Sequence, residues 1–170
     1  ENWVPDTWIA KDMSKFVGTA FAAAMAELNR QKRDSVICIP KCKEIAYIKF
    51  KEEIQTLLSA GVTVDMTAVQ EVEGKLNTVI DKFFDADPLV PEHGWKVQDI
   101  ELTLPEAGNA RIDWGGLDPS GVKCQVDYKV KLKLDVYTRS LAVKQYRYDP
   151  QMMHYNWAYN VNRYYICLVA

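Results

Sequence analysis

The 170-residue chain carries 21 Lys and Arg against 23 Asp and Glu, a net charge of −2, and is 48% hydrophobic and 26% charged. These values belong to a folded globular domain and exclude wholesale disorder, collagen-like structure and nucleic-acid binding through bulk positive charge. The longest apolar stretch, Phe16 to Met25, is too short to span a bilayer. Asp6 and Asp12 precede it where a basic leader would stand, so a soluble, intracellular, cytoplasmic protein without a membrane partner is expected.

Taken in chain order, residues 11–33 have the helical spacing of Phe16, Ala20, Ala23, Ala24 and Leu28, with Arg30, Lys32 and Arg33 at the end that favours cations. Val36 to Ile39 is a short apolar run stopped by Pro40. A second helix is expected from Lys43 to Ala60, ended by Gly61, and a third from Thr67 to Phe84, with Thr67 and Gln70 spaced as a capping box. The apolar period then switches to two, predicting three consecutive strands over 95–104, 110–117 and 122–134, with turns at 105–108 and 118–121. Asp149-Pro150 opens a helix to Asn162, and Tyr164 to Val169 closes as a strand. A meander followed by a crossover helix implies a mixed central sheet flanked by helices, an α/β fold of one domain with an N-terminal arm.

The four cysteines, Cys38, Cys42, Cys124 and Cys167, have no disulfide-framework spacing and read as free thiols rather than ligands of a metal or an iron–sulfur cluster. Along the third strand Val126, Tyr128, Val130, Leu132 and Leu134 share one face, and Asp127, Lys129, Lys131 and Lys133 the other. An amphipathic strand with its polar side in water would show the same alternation. Asp113, however, falls in the preceding strand, across a tight turn, and two carboxylates on adjacent strands can converge on a hard cation such as Mg²⁺. Lys129 would lie beside them, and Gln151 and Tyr155 share one side of the following helix. The segment from Val122 to Arg147 carries a net +5 against −7 over the remainder, a local basic stripe suited to backbone phosphates.

The ordered set Arg-Ile-Asp113, Val-Asp127-Tyr-Lys129 and Tyr-Asp-Pro-Gln151-Met-Met-His-Tyr155 resembles the PD-(D/E)XK nuclease superfamily, and within it the RecB-like branch of phage and recombination exonucleases. The resemblance covers residues 67–170 and implies a restriction-endonuclease-like α-β-β-β-α-β core, with residues 1–66 as an N-terminal helical extension. It implies a Mg²⁺- or Mn²⁺-dependent nuclease acting on DNA, as an exonuclease of recombination, repair or phage DNA processing, with a helicase or recombination protein as a possible partner and a bacterial or phage origin. Asp113 and Asp127 would be metal ligands with the Tyr128 carbonyl, and Lys129 would orient or activate the attacking water. Gln151, Tyr155, Arg111 and Lys131 would contact the DNA strand.

The metal-binding His that relatives often carry before the strands is missing: the comparable stretch reads Glu73-Gly74-Lys75-Leu76-Asn77-Thr78. Glu73 or Asp81 on that helix, or Glu101 on the first strand, would supply a further carboxylate, with Glu101 and Glu73 ranked equal. His93 and His154 read as surface or packing residues, and Tyr146, Tyr148 and Trp157 as the aromatics that flank the site. A catalytically silent nuclease-fold subunit that binds DNA or protein is the competing function.

Overall fold

The computed structural model describes residues 6–87, 89–130 and 148–169. Among them are three long helices, α1 (Asp6–Asp34), α2 (Ile39–Ser59) and α3 (Met66–Ala86), followed by strands β1 (Lys96–Ile100), β2 (Thr103–Leu104), β3 (Ala110–Arg111), β4 (Trp114–Leu117) and β5 (Lys123–Val130). Helix α4 (Tyr148–Tyr159) and strand β6 (Tyr164–Val169) complete the described chain. The expected third strand ran to Leu134, and its last residues lie outside the described part.

The helices form for the reasons their sequences suggest, with different boundaries. Pro40 does not stop the apolar run at 36–39; it stands in the first turn of α2, where its missing N–H has no intrahelical partner to lose. The apolar face of α2 repeats every four residues as Cys42, Ala46, Phe50 and Ile54, all buried. Its end is a Schellman turn: Val62 N–H donates to the Leu57 carbonyl (3.1 Å) and Gly61 N–H to that of Leu58 (3.0 Å), with Gly61 at φ 77°. Asp65, not Thr67, caps α3, its carboxylate accepting from Thr67 N (2.8 Å) and Ala68 N (3.4 Å). Helix α4 ends at Tyr159 rather than Asn162, because Asn160 turns left-handed (φ 54°) and Val161 N–H bonds back to Asn156.

The main sheet is mixed and ordered β1-β4-β5-β6, antiparallel except for the parallel β5–β6 pair. The first two expected strands are each interrupted. The chain bends at Glu101 and Leu102 on one side and at Ile112 and Asp113 on the other, so the tip of the hairpin separates as the small β2–β3 ribbon. Glu101 N–H to the Asp113 carbonyl (2.9 Å) and Ile112 N–H to the Leu102 carbonyl (3.1 Å) keep the two bends side by side.

One sheet face carries the main core. Trp114, Cys124, Val126 and Tyr128 pack against Phe21, Met25 and Leu28 of α1 and Leu76, Ile80 and Phe83 of α3. Tyr128 meets Phe21 and Phe83 edge-to-face, with ring centroids 6.1 and 5.8 Å away, and accepts a hydrogen bond from Trp114 Nε1 (3.1 Å). A smaller apolar cluster of Leu104, Ala107, Ile112, Tyr159 and Val161 joins α4 to the hairpin tip. Helix α1 thus packs on the core as one of its walls.

Candidate active site

The last pair in the β4–β5 register before the hairpin opens is Trp114 with Val126, both directed into the core. One residue further on each strand stand Asp113 and Asp127, and the period of two turns both away from the core. Asp113 Oδ2 accepts the Tyr128 N–H at 2.6 Å, which fixes its carboxylate across the strand beside Asp127. Lys129 Nζ lies 2.7 Å from Asp127 Oδ2. That oxygen is buried, with the Lys129 ammonium beside it.

Helix α4 covers this polar side of β5. Gln125, fully buried, donates to the Met152 carbonyl (3.1 Å) and to Asn156 Oδ1 (2.6 Å), fastening the helix to the strand. At the other end of α4 the Tyr159 hydroxyl donates to Asp99, passing over Gly115, where a β-carbon would lie 2.3 Å from the hydroxyl. With the helix anchored at both ends, Gln151 and Tyr155 face the carboxylates, and Gln151 Nε2 donates to the Tyr155 hydroxyl at 2.7 Å.

Asp113, Asp127, Lys129, Gln151 and Tyr155 line one cavity of about 660 Å³. Its acids are Glu101, Asp113 and Asp127; its cations are Lys15, Arg30, Lys49, Arg111 and Lys129. Burial, then the neighbouring Asp127 charge, pushes the Asp113 carboxyl up to about 7, against the pull of the Tyr128 N–H, Lys129 and Arg111. Burial also raises Asp127, opposed by Lys129. Two crowded carboxyls of this kind share their protons as a pair.

The structure therefore gathers Asp113, Asp127, Tyr128, Lys129, Glu101, Arg111, Gln151 and Tyr155 around one space. Glu73 is elsewhere. It lines a groove with Lys43, Tyr47 and Lys51, because its position on α3 turns toward α2 while Val72, Leu76 and Val79 take the core face. His93 is exposed in a 3₁₀ turn, and exposed His154 stacks on Trp157 with ring centroids 6.0 Å apart. Lys131 and Tyr146 lie outside the described residues, as does most of the basic stripe; Tyr148 opens α4.

Sequence reasoning missed the opposite wall, where α1 contributes Lys15, Thr19 and Arg30 and α2 contributes Lys49. It also missed Gln125, although Gln125 has the strand parity of Asp127 and Lys129 and could have been found by that signal. No comparable signal marks the α1 residues, whose place depends on long-range packing.

Two carboxylates side by side, Asp127 buried and Asp113 half-buried, are donors of the kind a hard divalent cation takes. Among the described residues, no group of three or more His, Cys, Asp and Glu is placed to hold a metal ion, so water would complete the shell. No described helix is long and apolar enough to cross a membrane. Comparison of the chain with family models, curated proteins and solved structures returned no match.

Proposed function

We propose that the protein is a Mg²⁺- or Mn²⁺-dependent nuclease with a RecB-like PD-(D/E)XK core, hydrolysing DNA phosphodiester bonds from strand ends. The observation that carries this reading is the meeting of Asp113, Asp127 and Lys129 on one side of two adjacent strands, with Gln151 and Tyr155 across the cavity. The five cations and three acids around the cavity favour an anionic ligand over a neutral or cationic one. Four of those five cations, Lys15, Arg30, Lys49 and Arg111, lie outside the basic stripe.

Asp113 and Asp127 would hold the cation, together with the Tyr128 carbonyl. A bound divalent ion supplies Lewis-acid stabilisation of charge on the phosphoryl oxygens and acidifies a water. Lys129, ion-paired to Asp127, is placed to orient the attacking water or to neutralise the phosphate. Gln151 and Tyr155, bonded to each other, present a preformed polar pair to the strand being cut. Contacts of this kind go to backbone and confer little sequence preference.

The test is incubation with linear and with covalently closed circular DNA, in Mg²⁺ or Mn²⁺, beside the Asp127→Ala variant. Degradation of linear DNA, sparing of circles and loss of cleavage in a folded Asp127→Ala protein are expected. Undiminished cleavage by that variant refutes the assignment of Asp127, and a wild-type protein that neither cuts nor binds Mn²⁺ refutes the nuclease reading.

A further inference from the structure

Glu101 occupies an unusual position. It stands at the bend after β1 with φ 51°, a left-handed backbone that disfavours any side chain bearing a β-carbon and is most at home with Gly or Asn. Its carboxylate lies between two guanidinium groups: Arg30 Nη2 of α1 at 2.8 Å and Arg111 Nη1 of β3 at 3.4 Å. Both arginines remain substantially open to water, with side chains 43% and 58% exposed, so neither is committed to the core. Arg30 also lies 3.5 Å from Glu27, which is already engaged by Lys41 (3.0 Å) and Gln31 (3.0 Å). An exposed ion pair of long side chains contributes little to folding, and here it sits on strained backbone. It also lines the cavity that holds Asp113 and Asp127.

We infer that Glu101 holds the place of a DNA backbone phosphate between Arg30 and Arg111 in the ligand-free protein, an inference that rests on the nuclease reading above. Carboxylate and phosphate present the same paired oxygens to a guanidinium fork, and a phosphodiester matches the single negative charge it displaces. Binding then exchanges an internal anion for the substrate's, with Arg30 and Arg111 as the receiving residues and Glu101 as their competitor. The device keeps two exposed arginines aimed into the cavity and discourages weaker anions. Arg30 belongs to α1, outside the stretch that resembles known nucleases, so α1 contributes a substrate contact as well as core.

The exchange makes an unequal prediction for two charge-removing variants. In EDTA, with a short fluorescein-labelled oligothymidylate as probe, Glu101→Gln should bind roughly tenfold tighter than wild type, because the competitor is gone. Arg30→Gln should bind roughly tenfold more weakly and lower the salt-dependence slope by about one. In the double variant the gain from Glu101→Gln should shrink. Glu101→Asn, which tolerates the left-handed backbone, serves if Gln lowers stability. A wild-type protein that binds the probe with an affinity unchanged or weakened by both Glu101 variants overturns the inference and leaves the nuclease reading standing. A probe bound by neither wild type nor variants overturns the inference, and with no Mn²⁺ binding either it overturns the nuclease reading as well.

Discussion

The most direct physical consequence of the site is a pH-dependent stability that a divalent cation should reverse. Burial and the Asp127 charge raise the Asp113 carboxyl from its ordinary 3.8 to about 7 in the folded protein. A raised folded value means that the native state holds the proton more tightly than the unfolded chain. Its stabilisation is complete below the unfolded value and is lost as pH climbs through the folded one. At 1.36 kcal/mol per unit, the loss between about pH 4 and about pH 7 is at most roughly 4 kcal/mol. For a chain of this size that corresponds to a fall in Tm of roughly 10 °C. Asn at position 113 keeps an oxygen to accept the Tyr128 N–H while carrying no proton to lose. Thermal or urea melts in EDTA between pH 4 and 8 should therefore show a declining wild type and a shallower Asp113→Asn, whose remaining slope comes from Asp127, also raised. Mn²⁺ at a hundredfold over its Kd should restore about 2.7 kcal/mol to wild type near pH 8, and none to the variant. A wild type whose stability is flat or rising over this range, or a variant that declines equally, refutes the reasoning.

Two further predictions concern the frame around the site. A β-carbon at Gly116 would lie 1.9 Å from the Lys96 carbonyl oxygen, a backbone atom that cannot yield without parting β1 from β4, so Gly116→Ala should cost roughly 3 kcal/mol in urea unfolding; a loss under about 0.5 kcal/mol would contradict this pairing. Lys32 is buried at the end of α1, ion-paired to Asp87 and donating to the Leu89 carbonyl at 2.9 Å. Lys32→Met should cost roughly 3–5 kcal/mol by stranding the Asp87 charge, with partial recovery in Lys32→Met/Asp87→Asn, measured in the same assay; equal losses in single and double variants would contradict the pair.

How much of this was legible in the sequence depends on how local the signal is. The mixed sheet with its helices followed from local patterns: the helical spacing of Phe16, Ala20, Ala24 and Leu28 in α1, the turn signals between the strands, and the alternation from Val126 to Val130. That same alternation put Asp127 and Lys129 on one side, and the short turn at 118–121 brought Asp113 next to them. Helix starts were less legible, because Pro40 and Asp65 act through backbone geometry that a nearby Thr67 or apolar run can mimic. The interruption of the hairpin at Glu101 and Asp113 was illegible, since nothing in a Glu announces a left-handed backbone. Glu101 and Glu73 could not be separated for a related reason. The choice turns on which way α3 rotates against α2, and that is set by the packing of Leu76 and Ile80.

The alternation along β5 has an energetic consequence as well as a geometric one. Asp127 and Lys129 flank Tyr128, whose ring is held by Phe21 and Phe83 and whose hydroxyl is held by Trp114. Each site residue therefore takes its position from a core residue one peptide away, and the core must offset the crowding of two carboxyls on the other side of the strand. Like charges brought together out of water oppose folding, and edge-to-face aromatic pairs beyond simple burial oppose that by about 0.5–1.5 kcal/mol each. Tyr128 also donates its backbone N–H to Asp113, so the residue that anchors the strand to α1 and α3 is the one that sets the separation of the two acids. The aromatic cluster and the carboxylate pair are in this sense two sides of one peptide. Loosening the first should widen the second before it unfolds the protein, and both lie on a strand paired on each side rather than at a free sheet edge.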